Sequence, residues 1–151
     1  MPVVALITWI ITALGGLYLL AIWLIEYDPD FQRAAVTRLP IPVVSGHVLF
    51  ALGGLALWLL YLVTDQEIFA WGTIAVLAFV AAFGITMAVR WVGVYQAAPV
   101  GAPATAGSQG GGALAVPPER HFPVSVVIGH GIFAVTTIVL VVLTILGVGG
   151  S

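Results

Sequence analysis

The sequence predicts an all-α integral membrane protein, a bundle of four transmembrane helices built from two two-helix hairpins duplicated in parallel. Three observations carry that expectation. The chain of 151 residues is 62% hydrophobic and 7% charged, with a mean hydropathy of +1.19, which lies beyond soluble domains. Four apolar stretches approach or exceed the ~20 residues needed to cross a hydrocarbon layer of about 30 Å. Finally, PVVSGHVLFA at 42–51 recurs as SVVIGHGIFA at 125–134, an offset of 83 (130 − 47).

The first stretch, Val3–Ile25, has no basic residue before it and is longer than the apolar core of a signal peptide, so a permanent span is expected. The segment 26–41 carries Asp28, Asp30, Arg33 and Arg38, then Pro40 and Pro42, which suit the start of a helix. The second span is Pro42–Val63. Only Thr64, Asp65, Gln66 and Glu67 separate it from the third, Ile68–Tyr95, so the two should be antiparallel neighbours. Asp65 or Thr64 is placed to cap the third helix, with Glu67 favourable in its first turn.

From 96 to 118 the composition turns to Ala, Gly, Pro and Ser, which predicts a flexible tether. Its GSQGGG run is followed by no Gly-Lys-Ser/Thr, so it is not a phosphate loop. Glu119, Arg120 and His121 lead into the fourth span, Phe122–Gly147. Trp9, Trp23, Tyr27, Trp58, Tyr61, Trp71, Trp91 and Tyr95 gather near span ends, where amphipathic rings favour the headgroup level. The whole chain, 1–151, reads as a single membrane domain.

The basic residues are Arg33, Arg38, Arg90 and Arg120, all in or beside the first and third connections. By the positive-inside rule those connections face the cytoplasm and both termini face outward, in what is expected to be a prokaryotic cytoplasmic membrane. Such sparse positive charge gives no nucleic-acid footprint. The chain has no cysteine, which excludes disulfides, thiolate metal sites and iron–sulfur clusters. No carboxylate lies within a span, against a cation-driven transporter loading at the midplane, and no serine–histidine–acid set points to a hydrolase.

The repeat sets the architecture. Val43/Val126, Val44/Val127, Gly46/Gly129, His47/His130, Phe50/Phe133 and Ala51/Ala134 coincide, and 43, 47, 50 and 51 share one helical stripe. The first and third spans correspond more weakly at an offset of 68 (84 − 16), through Gly16/Gly84, Trp23/Trp91 and Tyr27/Tyr95. A two-helix unit returns the chain to its starting side, so the copies run parallel about an axis along the membrane normal. The second and fourth helices then stand at diagonal corners, with His47 and His130 at one depth, roughly 10 Å below the arginine-rich surface.

Two facing imidazoles in a bundle core suit one haem b, with His47 and His130 as axial ligands to the iron. Gly46, Gly129 and Gly131 leave room for a flat ring; Phe50 and Phe133, one turn deeper, can pack on it. Arg90, with Arg38, Arg120 and His121 at the mouth, suits anionic propionates. The two Gly-His-x-x-Phe segments resemble the layout of membrane b-type cytochromes with bis-histidine haem, a likeness that covers the second and fourth helices. It implies electron exchange with a quinone or a partner subunit.

The competing expectation is a non-catalytic accessory subunit of a larger respiratory-type membrane complex, or a homo-oligomer, whose histidines only bond across an interface. Quinone contact, proton relay and metal transport are further alternatives; two histidines without a third ligand make a poor zinc site. Arg90 can also serve as a snorkelling anchor. His121 reads as interfacial, and Gly15, Gly16, Gly53, Gly54 and Gly84 as helix-packing residues.

Overall fold

A computed structural model describes residues 1–26, 39–96 and 117–148. Among these residues are four long helices, α1 (Pro2–Ile25), α2 (Ile41–Thr64), α3 (Glu67–Gln96) and α4 (Val124–Ile145), with a short 3-10 turn at Pro118–His121. All four are long and apolar enough to cross a membrane, and no strand occurs among the described residues. Asp28, Asp30, Arg33, Arg38, the Tyr27 half of the Tyr27/Tyr95 match and nearly all of the expected tether lie outside the described residues.

The helix starts follow from proline. Pro2 and Pro42 occupy first-turn positions, and Pro40 and Pro123 are the residues just before α2 and α4, where a missing N–H costs nothing. The α2–α3 connection differs from expectation. Thr64 does not cap α3; its hydroxyl donates back to the Leu60 carbonyl at 2.7 Å. Asp65 instead closes α2 in the left-handed conformation (φ 55°), its N–H reaching the Tyr61 carbonyl at 2.8 Å. Asp is among the few side chains that tolerate this backbone. Gly147 (φ 69°) serves similarly just past α4, while Glu67 does open α3.

The helices form two antiparallel pairs, α1 with α4 and α2 with α3, each packed along its length; α1 and α2 touch sparingly, as do α3 and α4. That order around the bundle leaves α2 and α4 on one diagonal and α1 and α3 on the other.

Burial is confined to the two ends. Near the termini, Trp9, Trp58, Leu77 and Val141 are buried with Ala5 and Ala70. There the Trp58 indole donates to the Pro2 carbonyl at 3.3 Å, and Thr137 donates to the Thr8 hydroxyl at 3.0 Å across α4 and α1. Gly54 is needed in this layer, because a Cβ would sit 3.2 Å from the Trp9 ring and from Val76.

At the opposite end Trp23, Leu39, Trp91, Val94, Pro118 and Glu119 are buried, with the 3-10 turn packed on both α1 and α3. Between these ends no described residue is buried: none from Ile10 to Ile22, Pro40 to Gly53, Ala78 to Arg90 or Arg120 to Thr136. The interval from Trp9 to Trp23 alone is about 21 Å of helix. The outward faces of this waist carry large apolar side chains such as Leu14, Leu49, Ile85 and Val135, suited to lipid.

Candidate functional site

His47 and His130 meet inside that waist. Each stands six residues into its helix, about 9 Å deep, and their ring centres are 6.2 Å apart with planes inclined at 57°. They come from different helix pairs and face each other across the seam between the pairs.

Each ring is fixed by the helix that packs beside its own. His47 Nδ1 lies 3.0 Å from the Val80 carbonyl on α3, and His130 Nδ1 lies 2.9 Å from the Thr12 carbonyl on α1. A carbonyl oxygen only accepts, so both Nδ1 atoms carry the proton. In the neutral imidazole that leaves the lone pair on Nε2. Tying Nδ1 to a backbone carbonyl is the usual way of setting the tautomer and orientation of a metal-binding histidine.

The two arrangements repeat each other. Val80 follows Thr12 by 68 residues (80 − 12), the offset that also relates Gly84 to Gly16. Both glycines lie against a histidine ring: a Cβ on Gly16 would be 2.9 Å from His130 Cε1, and one on Gly84 would be 3.2 Å from His47 Cε1. Each ring thus has one helix carbonyl for its Nδ1 and one glycine against its Cε1 edge.

The surrounding residues are less symmetric than the histidines. Gly46 packs on Phe83, which a Cβ would approach to 3.2 Å, whereas Gly129 and Gly131 meet nothing within 4 Å. Phe50 stacks on Phe79 at 5.4 Å and leans on Phe83 at 5.9 Å, within the α2–α3 pair. Phe50 and Phe133 are both 38% exposed. A side chain at Gly129 or at the exposed Gly131 would meet no neighbour, while Gly46 is backed by an aromatic ring.

At the mouth, Arg90 is exposed, and the adjacent Trp91 and nearby Val94 are the buried residues of α3 at this level. Arg120 reaches that helix, its Nη1 donating to the Val94 carbonyl at 3.0 Å. His121 lies 4.0 Å from the Glu26 carboxylate at the end of α1, both side chains nearly half exposed. Glu119 is fully buried in the 3-10 turn. Among the described residues no group of three or more His, Cys, Asp or Glu side chains is placed to hold a metal ion.

The carbonyls of Thr12 and Val80 were not among the residues the sequence singled out, because a backbone acceptor has no sequence signal. The signal that could have found them was the offset of 68 applied to the residues one turn from Gly16 and Gly84. No protein-family model matches the chain, nor does any curated protein or solved structure.

Proposed function

We propose that the protein is a small membrane b-type cytochrome, or an electron-transfer subunit of a larger complex, holding one haem b between His47 and His130. The observation that carries this reading is the matched pair of rings, each with Nδ1 tied to a carbonyl, Nε2 left as the lone-pair nitrogen, and centres 6.2 Å apart. Two imidazoles sharing one metal ion have ring centres about 6 Å apart, since metal–nitrogen bonds run about 2.0–2.1 Å and each centre lies about 1 Å behind its nitrogen.

The waist gives further support, since its inward residues are partly rather than fully enclosed and contact between the helix pairs is sparse. The seam between the two helix pairs crosses the waist, and a flat macrocycle suits a seam. Bound haem would supply one-electron chemistry; the protein's part is to present the two imidazoles, exclude water and set the potential through its apolar surroundings. The role is that of an electron carrier exchanging with a quinone or a partner subunit, rather than a self-contained enzyme.

We read the two helix pairs as descendants of one duplicated hairpin. The equal offsets at Val80/Thr12 and Gly84/Gly16 support that history. The termini are taken to face outward and the arginine-bearing connections inward, in a prokaryotic cytoplasmic membrane.

A second reading rests on the same hydrogen bonds. Each histidine bonds to a carbonyl of the helix it packs beside, so the pair also suits cross-helix glue in an accessory subunit of a respiratory-type complex. A pyridine haemochrome assay on detergent-purified protein separates the two. The cytochrome reading expects about one haem per chain; protein that stays haem-free after supplementation leaves the accessory role.

A further inference from the structure

Trp91 is 8% exposed, and its indole Nε1–H finds no acceptor among the described residues. An unmade hydrogen bond on a buried donor is costly, so such a group points to a partner that completes it. Trp91 lies seven residues beyond Gly84 on α3, hence on the same helical face, about 10 Å nearer the arginine-bearing end than the His47 ring. Its ring is held by stacking on Tyr95 at 5.3 Å. One turn further along the same face is Val94, whose carbonyl receives Arg120 Nη1 at 3.0 Å. The Trp91 indole and the Arg120 guanidinium thus belong to the same end of α3, the end beyond the histidines. The neighbouring acid Glu119 is fully buried, and Glu119 and Arg120 each make further interactions within the protein.

We propose that Trp91 and Arg120 form an anion-binding edge that takes a carboxylate of the porphyrin held between His47 and His130. The proposal rests on the cytochrome reading and deepens it: of the two sides of α3 at this level, the buried Trp91 side takes the acid group, and the exposed Arg90 does not. The ligand class is a planar, iron-bearing macrocycle with acidic substituents on one edge, which fixes the direction in which it enters the seam.

The test compares ferric protoporphyrin IX with its dimethyl ester, in which the same acids are blocked, by titrating each into the full-length apoprotein in detergent and following the bis-imidazole spectrum. Wild type is expected to prefer the free acid about tenfold over the ester, the scale of a hydrogen bond to a charged group. Trp91→Phe keeps the aromatic ring against Tyr95, and Arg120→Gln removes the charge. Each should shrink that preference several-fold while leaving ester binding unchanged, so the ester doubles as a check on folding. Equal binding of acid and ester by wild type, or an unchanged preference in both variants, overturns the edge and leaves the haem intact. Absence of a bis-imidazole spectrum with either compound overturns the cytochrome reading and this proposal with it.

Discussion

Gly16 lies so close to His130 that a methyl group in place of its hydrogen would sit 2.9 Å from the imidazole Cε1. No real Cβ contact is that short, so Gly16→Ala must move the ring, and the ring is held by the Thr12 carbonyl of the same helix. The expected result is a displaced His130 and a destabilisation of about 1–3 kcal/mol, the range for overpacking. Low-spin haem binding should fall with it. Gly84→Ala, at 3.2 Å from His47, should cause a milder loss, and Gly53→Ala or Gly93→Ala, with nothing within 4 Å, should cause none. Haem occupancy and thermal midpoints of the four variants in one detergent check this ranking.

The two histidines should behave as equals. If the two rings share one haem iron, His47→Ala and His130→Ala are each expected to abolish the low-spin spectrum, because each removes one of its two imidazoles. His121→Ala should spare it, since that ring lies at the surface beside Glu26. Optical spectra of the three variants are sufficient, and a haem that survives either axial substitution in low-spin form would count against a shared iron.

The core near the termini should set stability without touching the site. Trp58 is fully buried and donates to Pro2. Trp58→Ala should therefore cost about 3–5 kcal/mol, and Trp58→Phe much less. Unfolding in mixed micelles measures both, and the haem retained by Trp58→Phe should match wild type.

The Thr137–Thr8 bond is expected to matter little. Hydrogen bonds between membrane helices average about 0.6 kcal/mol, so Thr137→Val should lower stability by less than about 1 kcal/mol. The same unfolding assay reads it.

Much of this arrangement was legible in the sequence, for identifiable reasons. Helix limits fell within two residues of expectation, because long apolar runs bounded by proline or polar residues leave few alternatives. The widest differences are at α4, where Pro118 to His121 coil into a 3-10 turn and the helix starts after Pro123. The histidine pair was legible because two similar segments each place a histidine six residues into a helix.

What stayed hidden was supplied by backbone and by fine sterics. Gly16 and Gly84 read as packing residues, and only the fold puts a histidine ring against each. Phe50 was expected to pack on a macrocycle; its stacking on Phe79 and Phe83 of α3 had no signal in the sequence. The α2–α3 turn was misread because Thr64 and Asp65 suit either a helix end or a helix start, and here both serve the end.

The most direct test of the central claim is the optical spectrum of the detergent-purified protein, oxidised and then reduced with dithionite. If His47 and His130 share one haem iron, the reduced protein shows sharp α and Soret bands of a low-spin b-type haem, lost in both His47→Ala and His130→Ala. A protein that remains colourless after haem supplementation, or a haem spectrum indifferent to both substitutions, would contradict it.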